Sequence, residues 1–297
     1  MSSISSQVIL NEVKDLETLK DDFITIRLFT KLLFKKQINL YGLQKENGKM
    51  KFKEKYKVLF HDTDTNGIIY PTRLFMFLQE TAHGHTGSVG CAPEIMIERD
   101  GGCFWLTRIC VSILSDIRFG DELEVFTFAT NDSRGFSFNR CFEIYRNGEK
   151  VSEAYSVWAL MNLTTMRPMA VKDWKIDLGL EDPIKPSAPI HVRIPKETEI
   201  HAAGSQKVYY RDIDYNGHMN NARYPDVLCG FLPEDALSGR RISEISISFM
   251  HEAAKGETIE GFFGRDSEDS DVYYVRTLRE SDGNVNVEAR IKLADVK

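Results

Sequence analysis

The sequence of 297 residues lacks the features that mark several protein classes. Its five cysteines are irregularly spaced and form no Cys-x-x-Cys pair, which argues against a disulfide framework and favours the reducing cytoplasm. No apolar run approaches the roughly 18 residues of a membrane span, so no stable membrane insertion is expected. The net charge of -6 excludes a globally basic, nucleic-acid-binding surface. The composition, 42% hydrophobic and 28% charged, indicates a globular chain with a sizeable core.

Two stretches of the sequence share one polar skeleton. HDTDTNGIIYP spans residues 61–71 and RDIDYNGHMNN spans residues 211–221. The similarity continues downstream, where GDELEV resembles GETIEG and NGEKVSEA resembles DGNVNVEA. Internal similarity of this kind indicates a duplicated structural unit, and we call the two units copy one and copy two.

Each copy reads as a strand, an acidic turn, a helix and a run of alternating strands. In copy one, Pro71 is well placed in the first turn of the helix. The helix presents one apolar face, formed by Leu74, Phe77, Leu78 and Thr81. Asn220 and Asn221 are the N-cap candidates of copy two. We therefore predict an α+β fold with two tandem hot-dog domains in one chain, each a long helix wrapped by an antiparallel β-sheet.

We predict four segments along the chain. Residues 1–49 form an N-terminal extension that is either loosely packed or not native, although FITIRLFTKLLFKK also fits a basic amphipathic helix. Residues 50–172 form the first hot-dog domain and residues 206–297 the second. Residues 173–205 form a linker, because they hold four of the nine prolines.

The acidic turns match the opening of a calcium loop, but the match fails at its strongest ligand. A calcium loop needs a bidentate Glu at its twelfth position, and the two copies have Arg73 and Arg223 there. His83 and His85 lack partners at zinc-ligand spacing. The sequence predicts no metal and no cofactor. An Asx-type connection between strand and helix explains what the copies share.

The difference between the copies points to chemistry. Copy two has His218 where copy one has Ile68, and Asn220 where copy one has Tyr70. An imidazole that titrates near neutral pH, amide donors and a helix N-terminus are what a reaction at a carbonyl needs. We therefore expect the functional site in copy two.

The motif DYNGHMNNARY resembles that of the fatty acyl–acyl carrier protein thioesterases of plants and bacteria. FLQETAHGHTGSVG, FWLTRICVSI and SVWALMNLTTMRP are similar to that family's copy-one signatures, so the resemblance extends over residues 52–297. It implies hydrolysis of fatty acyl–carrier protein thioesters, which releases free fatty acid and ends chain elongation. It also implies four catalytic residues, namely Asp214, Asn216, His218 and Glu252. The family's plant members have a cysteine after this glutamate, where the present sequence has Ala253, so a thiolate at that position is excluded.

The resemblance leaves the mechanism and the division of labour as expectations. Either Glu252 or His218 activates water, while Asp214 either orients His218 or attacks directly. Copy one supplies the apolar acyl pocket. The partner is acyl carrier protein, and the chain is a monomer or a homodimer. The basic residues expected to face this acidic partner lie on the linker: Lys172, Lys175, Lys185, Arg193 and Lys196.

Three other functions remain open at the level of sequence. DTDTNGIIYPTRLFMFLQE also resembles the hot-dog coenzyme A thioesterases, in which the residue matching Asp64 is catalytic. The departure at Ala253 also fits a non-catalytic acyl-binding module. A hot-dog dehydratase fits the copy-two motif less well.

Overall fold

The computed structural model describes residues 43–46, 49–173 and 179–297. These residues form one large antiparallel sheet with two helices packed in copy one and a short one in copy two. The predicted amphipathic helix within residues 1–42 lies outside the described residues. In the part of the chain that the structure describes, no helix is both long and apolar enough to cross a membrane.

Copy one contains the longer helices. Helix α1 (Pro71–Ser88) follows the acidic turn, and helix α2 (Pro93–Asp100) follows α1 closely. The strands of copy one and of the segment before it are β1 (Leu43–Glu46), β2 (Lys49–Lys57), β3 (Gly102–Ile113), β4 (Glu122–Ala129), β5 (Phe138–Arg146), β6 (Glu149–Asn162) and β7 (Arg167–Met169). Strand β1 lies within the predicted N-terminal extension, and it pairs with β2.

Copy two repeats the strand pattern with one short helix. The strands are β8 (His201–Lys207), β9 (Arg240–Phe249), β10 (Thr258–Arg265), β11 (Val272–Arg279) and β12 (Val285–Asp295). Strand β8 begins within the segment assigned to the linker. Helix α3 (Tyr224–Cys229) is preceded by a 3-10 turn over Asn221–Arg223.

The sheet order shows the duplication directly. The order is β1-β2-β4-β5-β6-β3-β9-β12-β11-β10-β8, with β7 paired to β6. Read outward from its centre, copy one gives β3-β6-β5-β4-β2 and copy two gives β9-β12-β11-β10-β8. The copies join where β3 pairs with β9, from Arg108 opposite Ser248 to Ser112 opposite Glu244.

The predicted apolar face of α1 is confirmed. Leu74, Phe77, Leu78 and Thr81 are all buried, and Pro71 is the first residue of the helix. The three apolar members belong to a core that continues through Ile245 and Ile247 of β9. Because this core crosses from one copy to the other, burial of α1 stabilises both halves of the sheet.

The structure corrects the prediction of a long helix in copy two. Helix α3 has six residues, whereas α1 has 18. Pro225 is tolerated only in a first turn, Gly230 follows the last helical residue, and Pro233 comes soon after. Pro225 is thus compatible with the start of α3, while Gly230 and Pro233 limit its end, so the long helix of the hot-dog arrangement is supplied by copy one.

Candidate active site

The acidic turns are Asx connections in both copies. The carboxylate of Asp64 accepts hydrogen bonds from the backbone N–H of Asn66, at 2.8 Å, and of Ile68, at 3.0 Å. The carboxylate of Asp214 accepts from the backbone N–H of Asn216 at 2.8 Å. Each turn then needs a positive φ, which Gly67 and Gly217 supply at 72° and 82°. The shared skeleton therefore has a structural role in both copies.

The arginine at the twelfth position of the first acidic turn pairs with a carboxylate of that turn, as a bound cation would. Arg73 Nε lies 3.0 Å from Asp62 Oδ1. Within the described ranges there is no group of three or more His, Cys, Asp or Glu side chains arranged to hold a metal ion.

All four predicted site residues line one cavity. His218 Nδ1 lies 3.0 Å from Glu252 Oε2, with 40% of the imidazole and 44% of the carboxylate side chain exposed. Asp214 is half-buried and Asn216 is exposed at the same end of the cavity. Because a carboxylate accepts and an imidazole donates, Glu252 favours the tautomer with its proton on Nδ1, which leaves Nε2 as the basic nitrogen.

Backbone pairing brings His218 to Glu252. The N–H of Met219 donates to the carbonyl of Ala253 at 2.8 Å, and His218 forms an isolated bridge with Ala254. The segment after β9 is thereby fastened to the second acidic turn. Arg279 Nη1 donates to the carbonyl oxygen of Glu252 at 3.0 Å, which fixes this segment from its other side.

Ala253 points away from the cavity. Its side chain is 0% exposed and belongs to the hydrophobic core, whereas its neighbours His251 and Glu252 line the cavity. The burial of Ala253 in the core thus sets it apart from the residues just before it, Met250, His251 and Glu252, which all line the cavity. A side chain at position 253 therefore does not reach a substrate in the cavity.

Cys103 is the cysteine that stands near Glu252. It lines the cavity, and its sulfur accepts a hydrogen bond from Trp105 Nε1 at 3.1 Å. Burial, with the nearby Glu252 carboxylate, raises the pKa of the Cys103 thiol. A thiol with a raised pKa is a poor nucleophile at neutral pH, so Cys103 does not replace the missing cysteine.

The helix N-terminus expected to hold an oxyanion is already occupied. The Asn220 side chain accepts a hydrogen bond from the N–H of Ala222 at 2.8 Å, which makes Asn220 the N-cap, as predicted. The α-helix that follows is only six residues long. The exposed side-chain amide of Asn216 is then the better donor for a developing oxyanion.

The corresponding place in copy one is filled by charges. Ile69 N–H donates to Ile117, as Met219 does to Ala253, so Asp116 corresponds to Glu252. Asp116 lies 2.7 Å from Arg241 Nε and accepts from Arg118 Nη2 at 2.6 Å. With two arginines on its carboxylate and no imidazole opposite, this place lacks a base.

The cavity has a volume of about 730 Å³ and extends from the copy-two site into copy one. Its apolar walls come from α1, α2, β3, β5 and β6, namely Phe75, Leu78, Met96, Phe104, Phe138 and Trp158. Polar side chains of α1, Gln79, Glu80 and His83, also line it. This size is typical of a site that encloses most of a small-molecule ligand.

Among the polar residues of the cavity that sequence reasoning did not identify, Arg140 is the most buried charged one. It is 6% exposed. The alternation of β5 contained the signal, because Phe138, Arg140 and Phe142 occupy one face of the strand. An arginine at an inward position between two phenylalanines is unusual in an apolar strand.

Known proteins match most of this chain. The profile of the acyl-ACP thioesterase N-terminal domain matches residues 49–177, and that of the C-terminal domain matches residues 196–295. A chloroplastic acyl-[acyl-carrier-protein] hydrolase of Cuphea viscosissima is 26% identical over 231 residues, which is 72% of this chain and 55% of that protein. The chain thus spans about half the length of this relative.

Solved structures agree on the fold. An acyl-ACP thioesterase from Bacteroides thetaiotaomicron gives a TM-score of 0.72 at 22% identity, over 82% of this chain and 98% of the other. A 12:0-ACP thioesterase from Umbellularia californica gives 0.67 at 16% identity, over 82% and 97%. The predicted α+β hot-dog fold is confirmed by these likenesses. Because the two domain profiles together match most of its length, the chain belongs to the acyl-ACP thioesterase family.

Proposed function

We propose that the chain hydrolyses the thioester of fatty acyl–acyl carrier protein and releases free fatty acid. The observation that supports this most is the His218–Glu252 pair at 3.0 Å, at one end of a largely apolar cavity. Family membership supports the same substrate class. The expected end of elongation follows, because a released fatty acid has no carrier to return it to the next cycle.

In the mechanism that we propose, water is the nucleophile. Glu252 holds the Nδ1–H of His218, and Nε2 takes a proton from water as its oxygen attacks the thioester carbonyl carbon. The Asn216 amide donates to the oxyanion of the tetrahedral intermediate. The C–S bond then breaks, and the proton on Nε2 passes to the leaving sulfur. Asp214 is a positioning residue, because its carboxylate binds the backbone N–H of Asn216.

We further propose that copy one provides the acyl pocket and copy two the catalytic residues, within domains 50–172 and 206–297. Support comes from the cavity walls, whose large apolar side chains come mostly from copy one, whereas the second acidic turn contributes Asp214, Asn216 and His218. An acyl chain entering from His218 would lie along Phe75 and Leu78 of α1. Chain-length preference is then set by copy one.

Carrier protein is the proposed partner, because an acidic carrier requires basic side chains near the entrance. Lys172, Lys185, Arg193 and Lys196 are exposed in the predicted linker region, and Lys175 lies outside the described residues. The cytoplasm is the proposed compartment. It is supported by the five cysteines, which are all free thiols.

Thiol release from one acyl chain, loaded on carrier protein or on coenzyme A, tests this function. We expect the rate of thiol release to be much higher on carrier protein than on coenzyme A. This rate should be retained in Asp64→Ala and should fall in Asp214→Ala, the matched variant in the second acidic turn. A rate that is equal on coenzyme A and lost in Asp64→Ala would move the reaction to copy one. Acyl-chain binding without release of thiol would identify a binding module instead.

A further inference from the structure

The inner part of the cavity contains a buried guanidinium that the proposed hydrolysis does not use. Arg140 lies on β5, is 6% exposed, and lines the cavity together with Phe138 and Phe142. A pocket built only for a hydrocarbon chain has no use for a cation, because a CH2 group offers it no hydrogen-bond acceptor. The side chain therefore needs an explanation of its own.

The partners of Arg140 are neutral. Among the described residues, Nη1 contacts His85 Nδ1 at 2.8 Å and donates to Thr127 Oγ1 at 3.0 Å. Burial, followed by the charge of Arg140, lowers the pKa of His85 well below its usual value, so this imidazole is neutral. Among the residues described, no carboxylate lies within ion-pair distance of Arg140.

The other strongly buried charges in the described part of the chain are paired. Arg241 is also 6% exposed, and it lies 2.7 Å from Asp116. Glu143 is 6% exposed, contacts Lys51, and lies 2.9 Å from Lys150. A buried charge without a counter-charge is strongly unfavourable. Burial lowers the pKa of Arg140 to about 10, so the guanidinium nevertheless stays protonated at neutral pH.

Arg140 is far from the reacting end of the cavity. Along the sheet, Arg140 pairs with Ser156, and Ser156 pairs with Ile109 of β3. Arg140 is thus two strands, about 10 Å, from β3. Cys103, which is near Glu252, lies roughly 20 Å from Ile109 along β3, at right angles to the first offset. An acyl chain attached at the site would bring its far end, not its thioester, to the guanidinium.

We propose that the cavity binds an acyl chain with a hydrogen-bond-accepting oxygen near its far end, and that Nη2 and Nε of Arg140 bind this oxygen. The oxygen belongs to a hydroxyl, an oxo group or a carboxylate, which share the ability to accept from a guanidinium. A few well-placed polar groups in an apolar pocket commonly fix the orientation of a ligand. This inference rests on the proposed function, and it names the substrate class of the same site.

A purely structural role for Arg140 makes a different prediction. In that case the hydrogen bond to His85 would hold α1 against the sheet, and the acyl chain would stop short of the guanidinium. Loss of the arginine would then lower stability without changing the choice of substrate. The discriminating quantity is therefore the ratio of rates or affinities for oxygenated and plain chains.

Two matched series provide the test, one of carrier-bound thioesters and one of acyl-pantetheine analogues with an amide in place of the thioester. Each series contains plain, ω-hydroxy, ω-oxo and ω-carboxy chains over a range of lengths. For the thioesters we expect kcat/KM to favour one oxygenated class on the order of 10- to 100-fold at its best length. The amides, measured by calorimetry, should show the same preference in Kd. The amides report binding even if no thioester is hydrolysed. A failure of the proposed hydrolysis can therefore be distinguished from a failure of the proposed recognition by Arg140.

Variants assign the preference to Arg140. Arg140→Met should remove it and improve the relative rate on plain chains, whereas Arg140→Lys should retain part of it. Arg167→Met, at an exposed arginine on β7, is the control and should leave the ratio unchanged. If the methionine variant does not fold, the ratios of the unaltered protein decide. Equal kcat/KM and Kd for plain and oxygenated chains at every length would overturn the proposal.

Discussion

The proton on the His218 imidazole decides whether this side chain can act as a base. Glu252 Oε2 at 3.0 Å from Nδ1 selects the tautomer in which Nε2 is free. Asp214, by contrast, has its carboxylate on the backbone of its own turn. We therefore infer that Glu252, not Asp214, orients His218. The contacts of Asp214 do not support the other role considered for it, direct attack on the thioester.

Glu252→Ala should lower kcat on carrier-bound substrate by about 100-fold, because the imidazole loses the group that fixes its tautomer. Glu252→Gln keeps an acceptor oxygen and should lose less. Steady-state kinetics of the three proteins, with unfolding curves as the control, give the order. Equal activity of the alanine variant and the unaltered protein would exclude a role for this carboxylate.

Ala253→Cys restores the residue of the plant enzymes and should not increase activity. The side chain at 253 lies in the core, so the new thiol would not face the substrate. Turnover, and its response to a thiol-alkylating reagent, would be compared with the unaltered protein. A rise in kcat that the reagent abolishes would show that the thiol reaches the cavity.

Helix α1 connects sequence pattern, packing and cavity. Its inward positions were predictable, because apolar residues recur there at helical spacing. The strands were predictable from the alternation of apolar and polar residues. The turn between β5 and β6 has positive φ at both Asn147 and Gly148, as Asn-Gly hairpin turns have. The extent of α3 was not predictable, because Gly230, which follows its last residue, disfavours a helix only weakly and tertiary packing often overrides such a preference.

Two glycines of α1 should respond in opposite ways to alanine. A Cβ on Gly84 would lie 2.8 Å from the buried ring of Phe52, whereas one on Gly87 meets nothing within 4 Å. Gly87→Ala should raise the free energy of unfolding by up to about 1 kcal/mol through helix propensity. Gly84→Ala should lower it by about 1–3 kcal/mol, because the core must shift.

Urea unfolding of both variants measures these changes, and each glycine serves as the control for the other. An equal gain in stability from both substitutions would mean that α1 does not pack on β2 as described.

The whole molecule divides one duplicated fold into two tasks. Copy two has an imidazole and a partly exposed carboxylate, whereas the equivalent place in copy one holds Asp116 and Arg118 together with Arg241 from copy two. The sequence already indicated that this place in copy one has no imidazole, because Ile68 corresponds to His218. The arginines were not predictable as a cluster, because Arg241 reaches Asp116 only through the pairing of β3 with β9, far apart in sequence.

Arg241→Met should destabilise the protein by about 3 kcal/mol, because a buried carboxylate loses one of its two cations. It should leave kcat/KM nearly unchanged at a temperature where the protein is folded. Arg276→Met breaks a more exposed contact with Glu288 and should cost less than about 1 kcal/mol. Loss of activity in Arg241→Met without loss of stability would show that copy one takes part in the reaction.

The most direct test of the account is the kcat/KM of His218→Ala for thiol release from acyl carrier protein. The matched control is His61→Ala, which removes an exposed imidazole at the first acidic turn. We predict a loss of about 100- to 10,000-fold for His218→Ala, with unchanged unfolding, and no significant loss for His61→Ala. A rate that survives His218→Ala would contradict the assignment of hydrolysis to the second copy.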